Sequence, residues 1–190
     1  MNIGLAALIG LLALAVVTDI RRGRIPNLLV VLGVIAAVLF NGIAEPGLGV
    51  LDDFLPGSIG LAPLMQGLMV GFVCLLPLYA LRAMGAGDVK LMMVIGAFLG
   101  PLQTFGVVVL TFAAGGVLAL AMALWQRSFR QLVLNLRFML TTSAISAAGG
   151  TNPRFEPLQH TAGRMPYAVA IAAGTLLQLV LVRSGGWALS

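Results

Sequence analysis

Two carboxylates stand where long apolar stretches of this chain meet polar sequence. Asp19 lies in Thr18-Asp19-Ile20-Arg21-Arg22, and Asp88 lies in Gly85-Ala86-Gly87-Asp88-Val89-Lys90. Only 9% of the residues are charged, so acids beside apolar segments are few. An ionisable group at the edge of a membrane span is costly and is by default a functional candidate. Two carboxyls held close together do not both ionise readily, so they share a proton. Such a pair can hydrolyse a peptide bond. The ionised member takes a proton from water, the protonated member polarises the scissile carbonyl, and the water attacks directly.

Each aspartate also has a purely structural role open to it. Asp88 follows two glycines and precedes an apolar run, as a helix N-cap does. Asp19 closes a helical stretch, where the helix dipole disfavours negative charge; an ion pair with Arg21 or Arg22 is its alternative. The single cysteine and the single histidine, Cys74 and His160, are far apart in sequence and form no rival nucleophilic pair. They build no metal cluster, and neither a metal nor another cofactor is expected. One cysteine excludes an internal disulfide, and Cys74, inside an apolar run, is expected as a small buried hydrophobe.

The elements that must position the two acids follow from composition. The 190 residues are 60% hydrophobic, with mean hydropathy +1.07, against about 45–50% apolar for a soluble domain. An all-α membrane protein is expected: a single-domain polytopic bundle of about six transmembrane helices across residues 1–190. Windows of about 20 apolar residues put the spans near 2–19, 28–44, 59–81, 88–100, 103–125 and 165–182. The fourth is short, and Gly100-Pro101 should break a helical hairpin after it. That segment must tilt, thin the bilayer, or be shielded by its neighbours. The first span carries no charge ahead of it and arginines behind it, the reverse of a cleavable signal, so it should stay in place.

Basic residues set the orientation, since cytoplasmic loops are enriched in Lys and Arg. Arg21, Arg22, Arg24, Arg82, Lys90, Arg127, Arg130, Arg137, Arg154 and Arg164 fall on one side of a six-span layout, and Arg183 falls on the other. The first side is therefore assigned to the cytoplasm, together with Asp19 and Asp88, and both termini lie opposite. Glu45, Asp52 and Asp53, with Pro46 and Pro56, then make a flexible outer loop. In residues 126–164, Phe129, Leu132, Val133, Leu136 and Leu140 recur at helical spacing, which suits a helix lying among lipid headgroups. Membrane lipids are thus expected partners, and no basic tract reads as a nucleic-acid arm. Gly67 with Gly71, and Gly96 with Gly100, form small-xxx-small pairs suited to close helix packing. Met65, Met69, Met92 and Met93 are expected as apolar fill.

Three blocks carry a family resemblance. Asp19-Ile20-Arg21-Arg22-Gly23-Arg24-Ile25-Pro26-Asn27 resembles the first aspartate motif of type IV prepilin peptidases. Gly85-Ala86-Gly87-Asp88-Val89-Lys90-Leu91 resembles their second, the motif that names the Gly-x-Gly-Asp intramembrane aspartic proteases. Met165-Pro166-Tyr167-Ala168-Val169-Ala170-Ile171-Ala172-Ala173-Gly174 resembles their last-span segment. The resemblance implies an aspartic endopeptidase that removes the short basic leader of pilin-like precursors at the cytoplasmic membrane face, just before the precursor's hydrophobic helix. Asp19 and Asp88 match the family's catalytic positions. Gly85 and Gly87 match its flanking glycines, whose missing Cβ would admit a substrate backbone. Lys90 and Arg82 flank the catalytic loop and are candidates to meet a glutamate that pilin precursors carry shortly after the cut.

The departures from the family pattern carry information too. Long bifunctional members have an extra cytoplasmic domain with paired cysteines and also N-methylate the new terminus. Here only residues 20–27 separate the first two spans, and there is no cysteine pair. The chain is similar to the short subfamily serving Flp (tight-adherence) pili, and methyl transfer is not expected. Thr18, rather than Tyr, precedes Asp19, as in the prepilin branch rather than the presenilin-like one. Two rival functions use the same features: a small ion or proton transporter with the aspartates as a relay, and a non-catalytic pilus-assembly scaffold. The sequence sets no oligomeric state.

Overall fold

Backbone amides have no water to bond in lipid, so an apolar chain satisfies them internally by coiling into helices. A computed structural model describes residues 3–50, 57–81, 84–125 and 167–184. Among them run six helices: α1 (Ile3–Arg22), α2 (Asn27–Ile43), α3 (Leu61–Ala80), α4 (Ala86–Leu99), α5 (Pro101–Trp125) and α6 (Tyr167–Arg183). Each coincides with one expected span. α1, α3 and Pro101–Ala121 of α5 are long and apolar enough to cross a membrane, and α2 and α6 are shorter apolar helices. The described residues contain no strand, only an isolated bridge between Pro46 and Ser58.

α4 is the centre of the bundle. Its 14 residues span about 21 Å at 1.5 Å each, short of a hydrocarbon core of about 30 Å. Ten of them are buried, and all five other helices touch it. Its neighbours therefore shield this short helix on most sides. The helix stops at Gly100, whose φ of +79° suits glycine and whose N–H donates to the Gly96 carbonyl at 2.9 Å. Pro101 then opens α5, where its missing N–H costs no helical bond.

The two glycine pairs meet each other. A Cβ on Gly67 would overlap the Gly96 carbonyl oxygen, one on Gly96 would overlap that of Gly67, and one on Gly71 would lie 2.7 Å from the Met92 oxygen. α3 and α4 therefore touch backbone to backbone, where dispersion between closely fitted surfaces holds membrane helices together. Met92 is buried and Met93 half-buried, as fill should be, whereas Met65 and Met69 face outward. Cys74 packs against the core but is half-buried rather than buried.

The described ends of the loop between α2 and α3 are held by hydrogen bonds. The Ser58 N–H donates to the Glu45 carbonyl at 2.8 Å, and the Gly47 N–H donates to the Ser58 carbonyl at 2.9 Å. Buried Asn41 closes the knot. Its Oδ1 accepts from the Ile59 N–H at 3.0 Å, its carbonyl accepts from Ser58 Oγ at 2.6 Å, and its Nδ2 donates to Ala37 at 2.9 Å and to Ala97 at 3.4 Å. Asn41 thus ties the described C-terminal end of the loop to α2 and α4. Asp52, Asp53, Pro56, Arg82, His160 and the segment 126–164 lie outside the described residues.

Candidate active site

Asp19 is placed by the buried stripe of α1. Leu5, Leu8, Leu12 and Ala15 recur at helical spacing along it, and Asp19, four residues beyond Ala15, continues that face into the last turn. Gly23 ends the helix at φ +62°, with its N–H donating to the Asp19 carbonyl at 2.7 Å. The side chain turns to another helix: Asp19 Oδ2 accepts from the Ala168 backbone N–H at 3.2 Å. Ala168 is in the first turn of α6, where N–H groups lack intrahelical partners and the dipole favours an anion. The start of α6 thus offsets the unfavourable end of α1. Arg21 and Arg22, the alternative partners, are exposed.

Asp88 is not an N-cap. Gly85 holds that position and Asp88 is the third helical residue. Its Oδ2 accepts from the Gly85 N–H at 3.1 Å, which is the carboxylate half of a capping box; glycine has no side chain to supply the other half. A Cβ on Gly85 would lie 3.2 Å from that oxygen, a tight contact. Asp88 is only 8% exposed.

α1, α4 and α6 touch one another at the end of the bundle where α1 stops and the other two start. Asp19 and Asp88 interact electrostatically there, and the phenol of Tyr167, beside Ala168, interacts with Asp88. The arrangement is two coupled carboxylates, each fixed by one backbone N–H, with a phenol close by. It suits activation of a water molecule between the acids. Among the described residues no three His, Cys, Asp or Glu side chains gather as a metal-binding group.

The two remaining expected residues have partners within the chain. A Cβ on Gly87 would lie 3.3 Å from Cβ of Ile25, and 3.6 Å from its Cγ1 and N. The space that a Cβ on Gly87 would take is therefore bounded by Ile25. Lys90 Nζ donates to Asn27 Oδ1 at 2.9 Å. Ile25, Asn27, Tyr167 and Ala168 had no assigned role in the sequence, although all four fall inside the blocks that carry the resemblance.

No curated protein and no solved structure matches the chain. The sequence model of the type IV leader peptidase family matches residues 6–120, a stretch that includes both aspartates and ends before α6. It covers more than half of the 190 residues. An apolar helical bundle with two coupled aspartates, matched over that length, belongs to the type IV leader peptidase family.

Proposed function

We propose that this chain is an intramembrane aspartic endopeptidase that cuts the leader from Flp-type pilin or pseudopilin precursors at the cytoplasmic membrane face. Asp19 and Asp88 are its catalytic pair. The observation that carries this proposal is that α1, α4 and α6 bring both carboxylates to one end of the bundle, each anchored by a backbone N–H. With one proton shared between them, the ionised carboxylate takes a proton from water as its oxygen adds to the scissile carbonyl carbon. The protonated carboxylate donates to the carbonyl oxygen. Collapse of the tetrahedral intermediate breaks the C–N bond, a proton passes to the leaving nitrogen, and a free acid and a free amine separate. The whole chain acts as one peptidase domain without a cofactor. It lies in the bacterial inner membrane with six spans and both termini outside the cytoplasm, as the one-sided distribution of bases supports.

The test is co-expression with an Flp-type precursor. A leader-sized shift on a gel is expected with the wild-type chain and not with Asp88→Asn. No shift with the wild type, for any basic-leader pilin precursor offered, overturns the proposal.

A further inference from the structure

The residues that follow Asp19 in sequence fold back onto the helix that carries Asp88. Gly23 turns the chain at φ +62°. Ile25 is buried, and Pro26, with φ −63° and ψ 135°, sets the direction in which α2 begins. Ile25 packs on Gly87, the residue before Asp88. Asn27, at the start of α2, accepts from Lys90 Nζ, two residues after Asp88. The strap 23–27 thus grips the first turn of α4 on both sides of Asp88. Its other end is bonded to the Asp19 carbonyl through the Gly23 N–H.

We propose that this strap is a positioning device that holds Asp19 and Asp88 at their working separation, with Asn27 and Lys90 as its positioning residues. The proposal rests on the peptidase function above. Catalytic groups must be held to about half an ångström, and a displacement of about 1 Å costs on the order of a hundredfold in rate. α1 ends at the strap, so movement of the strap relative to α4 changes the gap between the two carboxylates. A Lys90 that instead read a substrate carboxylate would act only on precursors that carry one. A Lys90 that holds the strap acts on every precursor, and acts on turnover rather than on affinity.

The experiment uses the full chain in lipid vesicles with two precursors, one carrying glutamate after the cut and one carrying alanine at that position. Asn27→Ala and Lys90→Gln should each lower kcat by about five- to twentyfold, with KM little changed and both precursors equally affected. The double variant should be no slower than the slower single, because the two residues act through one bond. Asn27→Asp keeps the acceptor oxygen and should retain wild-type kcat. If Asn27→Ala does not accumulate, Ile25→Val thins the other grip by one methyl, and a kcat loss of about two- to threefold is expected. Three results overturn the strap: Lys90→Gln slowing only the glutamate precursor, wild-type kcat in Asn27→Ala or its Ile25→Val substitute, or losses that multiply in the double variant. If the wild type cleaves neither precursor, the peptidase proposal has failed and the strap falls with it. If the wild type cleaves and Asp88→Asn does not, a negative result for Asn27 counts against the strap alone.

Discussion

Asp19 Oδ2 and the backbone N–H of Ala168 are bonded at 3.2 Å although 149 residues separate them. Through this bond α6, which lies beyond the family-matched stretch 6–120, becomes part of the site. It also reconciles a carboxylate with the end of its own helix.

Removal of that donor should cost activity. Lactic acid in place of Ala168 keeps the methyl group and exchanges the N–H for an ester oxygen. A hydrogen bond to a charged group is worth about 1.5–3 kcal/mol, so cleavage should slow by about tenfold or more in protein made by cell-free synthesis into nanodiscs. An unchanged rate would show that the bond does not hold Asp19 for catalysis.

Asp19→Asn and Asp88→Asn should each abolish processing while the protein remains in the membrane at normal levels. Groups that act as a unit are non-additive, so the double variant should be no worse than either single. The readout is precursor conversion normalised to membrane-inserted protein, and near-wild-type conversion by one single variant would rule out the pair.

Gly67 and Gly96 should fail differently. A Cβ at either position meets the other's backbone, and overpacking costs about 1–3 kcal/mol or more. Gly67→Val and Gly96→Val should lower the unfolding temperature in detergent and reduce yield. Gly10→Ala and Gly116→Ala, where an added Cβ has nothing within 4 Å, should leave both unchanged. Equal stability in all four would mean that α3 and α4 are not in backbone contact.

Asn41→Ala should destabilise without touching the chemistry. It removes the amide of buried Asn41, with its bonds to the half-buried Ile59 N–H and to the Ala97 carbonyl, at a cost of about 1 kcal/mol or more, at the bundle end away from Asp19 and Asp88. A lower melting temperature with unchanged kcat per folded molecule is expected. A fall in kcat at constant stability would place Asn41 in the working site instead.

Orientation has its own readout. A reporter fused after Ser190 should signal from outside the cytoplasm, because six spans return the chain to its starting side. A cytoplasmic signal would mean either an odd number of spans or the opposite orientation, and would overturn the proposed topology.

Much of this was legible before folding. Apolar runs gave all six described helices to within a few residues at each end, because in lipid hydropathy and backbone hydrogen bonding demand the same segments. Gly100-Pro101 announced the break between α4 and α5, and the spacing of Gly67, Gly71, Gly96 and Gly100 announced a close contact, though not that the pairs meet each other. Asp19 and Asp88 stood out because charge is rare here. Their fixings did not stand out. The partner of Asp19 is a backbone N–H on the last described helix, and no pattern of side-chain types marks such a donor. Gly87 stood out as a glycine beside Asp88, and only the fold shows that Ile25 lies against it. The bonds at the ends of the loop between α2 and α3 were hidden for the same reason: Asn41 looks like one polar residue in an apolar helix until Ser58 and Ile59 are brought to it.

The bond between α1 and α6 also bears on biosynthesis. Helices enter the membrane in chain order, so the first one made must wait for the last described one before Asp19 gains its Ala168 donor. Until then that carboxylate rests at the end of a helix whose own dipole opposes it, and water is its best available partner. The emerging chain thus has a reason to keep the end of α1 at the membrane surface. The site gains this bond only once α6 has been made.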